Sequence, residues 1–340
     1  MIRLLPHADT VLGSWRLDRG RAVLVEDWNA GEILAMSAGR FDVDQIPVRA
    51  RGTNGGALFI APGGIGDTLM LEPVLRAWCH AHPGEMLALA TGPENFTLLY
   101  GLGAVACPYP VPEAMLDQVA EVGCTERLIH DNPGHHPTDL YEEQWDICTP
   151  DKRPHYRLDA SEQAWASAEF PRNDRKRIGV QVRATCLART YPSTLEVIRR
   201  ILHHKHEVFL FGREGECLAD DQPELGLVNL GKRRHTIRQS IAMVDSCDAF
   251  LAPDSGLLHA AGTIGVPTIA LFGPFDWKER TRYYPTVRAL QGRAPCAPCR
   301  YHKRAGIEWP ENGPCNEAGH CVALAEIDPR RIVAKLEELL

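Results

Sequence analysis

Ala57-Leu58-Phe59-Ile60-Ala61 is an unbroken apolar run of the kind that fits a strand covered on both faces in a parallel sheet. After the glycine-rich stretch that follows, Leu71, Val74, Leu75 and Trp78 recur three and four residues apart, which predicts a helix with one buried face. Leu87 to Ala90 and Val105-Ala106 read as further strands, with a helix over 112–121 leading to a strand at Arg127-Leu128-Ile129. A polar, proline-containing stretch from about 132 to 176 interrupts this rhythm and is read as the interdomain connection.

A second series then begins. Strands are predicted at 178–182, 207–211, 248–252 and 268–272, and helices at 194–203, 236–244 and 255–264. Strictly alternating strands and helices imply parallel sheets, because parallel neighbours need crossovers. Before the first series, Ala22 to Val25 and Glu32 to Met36 are short apolar runs separated by turns, which suggests a small β-hairpin element, and 51–56 reads as a linker. The expected organisation is a β-rich extension over 1–50, an α/β Rossmann-like domain over 51–170, a second over 171–328, and a closing helix over 329–340 that opens on Pro329.

The length of 340 residues suits two domains, and 44% hydrophobic residues suit ordinary cores. A net charge of −7 supplies no broad basic field for nucleic acid. No apolar run has the length of a signal core or a membrane span, so a cytoplasmic protein is expected. Of eleven cysteines, Cys79, Cys107, Cys124, Cys148, Cys186, Cys217 and Cys247 are scattered and read as small buried hydrophobes.

The other four are clustered. Cys296-Ala297-Pro298-Cys299 is followed after fifteen residues by Cys315 and after five more by Cys321. A C-x2-C pair with two nearby cysteines predicts a closed thiolate site for zinc or iron, with His302 and His320 as substitute ligands. No coordination position is left open in such a site, so the metal is read as structural, stapling a loop-rich segment, and no catalytic metal is expected.

Three further segments carry candidate chemistry, each just past a predicted strand. Asp254-Ser255-Gly256 opens a helix whose uncapped N–H groups and dipole favour an anion, Asp254 or Ser255 acting as cap, and His259 lies one turn on from Ser255. Pro62-Gly63-Gly64-Ile65-Gly66-Asp67 is neither G-x-G-x-x-G nor a P-loop, yet it brings backbone close to a ligand and offers Asp67 as a proton acceptor. Arg183 and Arg189 with Thr185 between them can neutralise and hold a diphosphate.

In this order the segments resemble the heptosyltransferase family of inverting glycosyltransferases. The resemblance rests on Gly63-Gly64-Ile65-Gly66-Asp67 with Pro73-Val74-Leu75-Arg76, on Arg189-Thr190-Tyr191-Pro192, and on Asp254-Ser255-Gly256 with His259. Gly265-Val266-Pro267 and Leu271-Phe272-Gly273-Pro274 with Asp276 extend it, so that it runs over roughly residues 57 to 340. It implies the GT-B fold of two Rossmann-like domains facing a cleft, a nucleotide-sugar donor with ADP-heptose foremost, and a glycan or protein acceptor.

By position, Asp67 then resembles the catalytic base that activates the acceptor hydroxyl. Gly64, Gly66, Arg183, Thr185, Arg189, Asp254, Ser255, Gly256 and His259 resemble the donor-binding set, and Glu214 or Glu216 the acidic residue near the ribose. Autotransporter heptosyltransferases in this family hold iron in a comparable cysteine cluster. Residues 1–50 depart from the commonest family pattern and are assigned to acceptor binding or homo-oligomer formation. The same fold also admits a sugar-nucleotide epimerase, or transfer from another donor to a protein or a modified nucleic-acid base.

Overall fold

The computed structural model describes residues 2–12, 15–25, 31, 41–45, 55–124, 132–216, 222, 225–301, 309 and 313–340. The chain divides into two compact units, Met1–Lys152 and Arg153–Leu340.

The first unit opens with β1 (Ile2–Pro6), the hairpin β2 (Thr10–Leu12) and β3 (Trp15–Leu17), β4 (Val23–Val25) and β5 (Phe41–Gln45). Then come β6 (Ala57–Ile60), α1 (Ile65–Ala81), β7 (Leu87–Ala90), α2 (Pro93–Phe96), β8 (Val105–Cys107), β9 (Val111–Pro112), β10 (Glu121–Cys124) and α3 (Pro137–Trp145). Strands β6, β7, β8 and β10 form a parallel sheet in the order β10-β6-β7-β8. The apolar runs of β6 and β7 are buried throughout, as their composition requires, while Val105 on the edge strand β8 is exposed, and Trp145 is stacked on Phe59 at a centroid distance of 3.6 Å.

The N-terminal strands form a separate antiparallel sheet in the order β5-β1-β4-β9, so its edge strand β9 comes from the middle of the Rossmann-like portion. Arg3 reinforces that junction, its Nε 2.6 Å and its Nη2 3.0 Å from the carboxylate of Glu113.

The second unit contains α4 (Ala160–Glu169), β11 (Arg177–Gln181), α5 (Thr194–His203), β12 (Glu207–Phe211), β13 (Leu227–Asn229), α6 (Ile237–Asp245) and β14 (Ala249–Pro253). After these follow α7 (Gly256–Ile264), β15 (Thr268–Phe272), α8 (Lys278–Thr281), β16 (Val287–Gln291), α9 (Pro314–Ala318), α10 (Val322–Ala325) and α11 (Pro329–Glu337). Its six strands are all parallel, in the order β13-β12-β11-β14-β15-β16. One face of the sheet packs on α5, α11 and the cysteine-bearing segment, the other on α4, α6 and α7. The chain runs outward from β11 to β13, then returns to β14 on the other side of β11. That reversal leaves a crevice at the carboxyl ends of β11 and β14, where α/β sheets bind their ligands.

At the opposite end of the same strands, Arg177 is fully buried. Its Nε is 2.7 Å from Glu207, its Nη2 donates to the carbonyls of Phe170 and Pro171, and its guanidinium lies 4.2 Å from the Phe209 centroid. Burying this charge is tolerable because its donors are met by a carboxylate and by backbone oxygens.

Several elements differ from the sequence reading. The helix expected over 112–121 is a 3-10 helix at Glu113–Gln118 between β9 and β10. The strand expected at 127–129 and the apolar run 32–36 lie outside the described residues. The polar stretch 132–176 carries two helices, α3 and α4, and β13 and β16 join the second sheet unannounced. Cys148 is exposed rather than buried. Among the described residues no helix is long and apolar enough to cross a membrane.

Candidate functional site

In the second unit β14 ends at Pro253, and Asp254-Ser255 turn the chain into α7. Ser255 occupies the N-cap position with extended backbone (φ −160°, ψ 167°), yet its side chain makes no cap bond. Its hydroxyl instead donates to Oε1 of Gln181, 2.5 Å away at the end of β11. The expectation that Asp254 or Ser255 caps the helix therefore fails, and the first N–H groups of α7 keep no side-chain acceptor from the cap. Such a helix start is suited to an anion.

Asp254 is 4% exposed and is the electrostatic centre of the turn. Arg189 approaches it twice, with Nη1 3.5 Å from Oδ2 and 3.3 Å from the backbone carbonyl. His259 Nε2 lies 3.7 Å from Oδ1, and its Nδ1 is 3.1 Å from the hydroxyl of Tyr284. Burial by itself would raise the Asp254 carboxyl. The contact with His259 and the charges of Arg280, Arg189 and His259 outweigh burial and hold it well below the usual carboxylate range.

Arg280, on α8, is also 4% exposed, and its guanidinium lies over Phe275 at 4.4 Å. Its Nε has no hydrogen-bond partner, and neither does Oδ2 of Asp254. A buried guanidinium with an unmet donor, beside a carboxylate already facing a second arginine and an imidazole, leaves the pocket with positive potential to spare. Thr185 is exposed and accepts from Arg189 Nη2 at 3.3 Å, so the two predicted residues of that loop do meet. Arg183 is half-buried, and its backbone carbonyl receives the amide of Gln181 at 3.2 Å. Glu214 and Glu216 follow β12, next to β11 in the sheet. Glu216 accepts from the backbone N–H of Arg213 at 2.8 Å, closing its own turn, while Glu214 is exposed.

In the first unit the glycine stretch joins β6 to α1, with Gly64 at the N-cap position. Gly66 lies in the first turn of α1, and Asp67 beside it is half-buried and turns Oδ2 back onto the N–H of Gly64 at 2.9 Å. A Cβ at Gly63 would sit 2.8 Å from that same oxygen, so glycine is required for the carboxylate to fold over the turn. The side chain of Asn95 fixes the turn from outside, donating to the Gly63 carbonyl at 2.8 Å.

The four clustered cysteines belong to the second unit. Cys315 and Cys321 are buried in the core on the α5 and α11 face, Cys296 is half-buried and Cys299 exposed. Burial raises the thiols of Cys296, Cys299 and Cys321, and the charge of Cys315 raises each of them further. Cys299 and Cys315 thus lie within electrostatic reach of each other and of both Cys296 and Cys321, and Cys299 also feels Cys186, at the start of the Arg189 loop. This donor set fits a thiophilic ion, although among the described residues the sulfurs are not drawn into a compact ligand group. His320 is half-buried, and His302 lies outside the described residues.

The sequence reading passed over Gln181, Tyr284 and Arg280. Gln181 had a readable signal, a polar residue ending an apolar strand at the reversal of strand order. Arg280 had none, since Lys278-Glu279-Arg280 reads as a solvated charge run until the fold buries it.

The profile of glycosyltransferase family 9 (heptosyltransferase) matches residues 135–306, just over half of the chain. Lipopolysaccharide heptosyltransferase 2 of Salmonella typhimurium is 26% identical over 157 residues, 43% of this chain, so the chain spans 40% of the length of that relative. Among solved structures, ADP-heptose lipopolysaccharide heptosyltransferase II of E. coli aligns over 84% of this chain and 98% of its own, with a TM-score of 0.55 and 17% identity. TibC, an iron-containing dodecameric glycosyltransferase from enterotoxigenic E. coli, aligns over 99% and 90%, with a TM-score of 0.63 and 13% identity. At such identities the likeness concerns the fold, which is the α/β glycosyltransferase fold with parallel sheets, as the GT-B expectation has it.

Proposed function

The chain belongs to glycosyltransferase family 9 (heptosyltransferase), and on that premise we propose that it is an inverting glycosyltransferase that moves a sugar from a nucleotide-diphosphate donor to an acceptor hydroxyl. ADP-heptose is the leading donor, since a TibC structure holds ADP-D-β-D-heptose. The observation that carries the reading is the convergence of Arg189, Arg280 and His259 on Asp254, at the open start of α7.

The chemistry follows from that convergence. As the bond between the anomeric carbon and the phosphate breaks, negative charge grows on the departing diphosphate. Fixed arginines and the N–H groups at Ser255 and Gly256 stabilise it with little reorganisation, because they are already held in place. Asp254 holds Arg189 and His259 in register, and Gln181 holds the Ser255 hydroxyl. Arg183 and Thr185 extend the phosphate contacts, and Glu214, with Glu216 behind it in the same turn, is suited to the ribose hydroxyls.

Asp67 is assigned as general base. Gly64 engages its Oδ2, which leaves Oδ1 to take the proton of the attacking hydroxyl. That oxygen attacks the anomeric carbon as the diphosphate leaves from the opposite face, so the configuration inverts. Cys296, Cys299, Cys315 and Cys321 would hold a structural zinc or iron ion, whose contribution is to stiffen the loop-rich segment that carries them. The acceptor class is a glycan or a protein. Val11 and Val43, exposed on the N-terminal strands, suit the assignment of that extension to a homo-oligomer contact.

The test is a pair of measurements. Thermal unfolding across nucleoside diphosphates and nucleotide sugars should show a rise for the cognate donor, since a ligand that binds only the folded chain stabilises it. Asp67→Asn should keep that rise while losing transfer by about two orders of magnitude or more. No stabilisation by any nucleotide would overturn the donor site, and unchanged transfer by Asp67→Asn would overturn the base.

A further inference from the structure

One group of metal-ligating side chains lies away from the crevice and has no part in sugar transfer. Helix α5 ends at His203, and His204 is its C-cap, with its N–H on the carbonyls of Arg200 and Ile201. Lys205 follows in the left-handed region (φ 66°), a conformation uncommon for a residue with a side chain. The turn it makes brings His206, just before β12, alongside His204, their ring centroids 6.3 Å apart and the planes tilted by 33°.

Glu337, the last residue of α11, meets both rings. Its Oε1 is 3.0 Å from Nδ1 of His204 and 2.9 Å from Nε2 of His206. The ligand atoms of all three residues lie within 4.8 Å of one another. A cavity of about 180 Å³ opens beside them, lined by Arg200, His204, Arg330, Val333, Ala334 and Glu337.

We propose that His204, His206 and Glu337 form a second metal site, for a divalent ion of the zinc class. Two imidazoles and a carboxylate are the ligand set that zinc takes when it keeps water in its remaining position. With metal–ligand bonds near 2.0–2.1 Å, donor atoms in a tetrahedral site stand about 3.3 Å apart. The observed histidine–carboxylate spacings need to open by only a few tenths of an ångström. Arg200 does not oppose the ion with a free charge, because Glu196 holds it at 3.0 Å from Nε and 2.6 Å from Nη2. The cavity supplies room for the completing water. The ion would clip the C-terminal helix to the junction of α5 and β12.

The site is tested by metal counting and spectroscopy on the full chain, because the cysteine cluster can bind the same ions. Wild type, Glu337→Gln and His204→Gln/His206→Gln are equilibrated with zinc, desalted and assayed by mass spectrometry. The same proteins are then titrated with cobalt(II). Wild type is expected to hold one zinc equivalent more than either variant. Beyond any sulfur-type bands from the cysteine cluster, its cobalt form should show an additional d–d band with no sulfur charge transfer of its own, and that band should be missing from both variants. Glu337→Gln preserves an amide oxygen for the imidazole N–H groups, so it keeps the fold while removing the anionic ligand. Equal zinc content in all three proteins, or cobalt bands of the sulfur type alone, would overturn the proposal.

Discussion

The hydroxyl of Ser255 donates a hydrogen bond to Gln181 and accepts none from the helix that Ser255 begins. Gln181 therefore holds the N-cap residue in an uncapping posture. Gln181→Ala would free the serine to bond the N–H groups of its own helix and so compete with an incoming phosphate. Donor KM should rise by a few-fold to about tenfold with the thermal stability little changed. Steady-state kinetics at saturating acceptor would check this, and an unchanged KM would remove Gln181 from the site.

Asp254 links the charge of the site to the stability of the unit. Its carboxyl is held below its unfolded value of 3.8, so its contribution is complete above that pH and is lost as the pH falls through the lower, folded value. Asp254→Asn should cost about 3–5 kcal/mol near neutral pH, because it leaves buried arginine charge uncompensated. The gap between variant and wild type should stay level above about pH 5 and shrink on further acidification, as read from urea unfolding at a series of pH values.

Arg280→Met should separate binding from folding. Removing a buried cation whose Nε lacks a partner relieves one desolvation cost, so the stability loss should be smaller than for Asp254→Asn. Affinity for the nucleoside diphosphate should fall by about tenfold or more, measured by calorimetric titration. A variant that binds as tightly as wild type would show that Arg280 serves only to balance Asp254.

At the far end of the same strands, Glu207→Ala strips Arg177 of its carboxylate within the core. A loss of about 3–5 kcal/mol in unfolding free energy is expected, with kcat per folded molecule preserved. Urea unfolding and active-site titration together decide it.

Gly292 lies where a Cβ would come 1.9 Å from the carbonyl oxygen of Ala323, on the short helix just after Cys321. Gly292→Ala must push that helix off the sheet. Metal retained by the cysteine cluster after purification should drop, alongside a stability loss of about 1–3 kcal/mol.

The buried strands were legible because a parallel strand announces itself. Leu87–Ala90 is apolar along its whole length, Glu207–Phe211 and Thr268–Phe272 are apolar after their first residue, and the structure forms all three with those bounds. Strands β9, β13 and β16 escaped notice because they are short or carry polar residues at the sheet edge, where burial gives no continuous signal. Within the site, the turn at Asp254 and the loop at Arg189 were readable from residue type and position after a strand. Arg280 was not, since its burial depends on Phe275 and on the placement of a one-turn helix. The histidine pair and Glu337 are separated by more than a hundred residues, and nothing local in either segment anticipates the other.

The pairing of β4 with β9, and of Arg3 with Glu113, also orders events during synthesis. The first strand of the chain leaves the ribosome long before its sheet can be completed, since the far edge and the carboxylate that secures it come some hundred residues later. Contacts so distant along the sequence form slowly and leave early strands with open edges meanwhile. The amino-terminal sheet is then a closing step, fastened only once β6, β7 and β8 have been made.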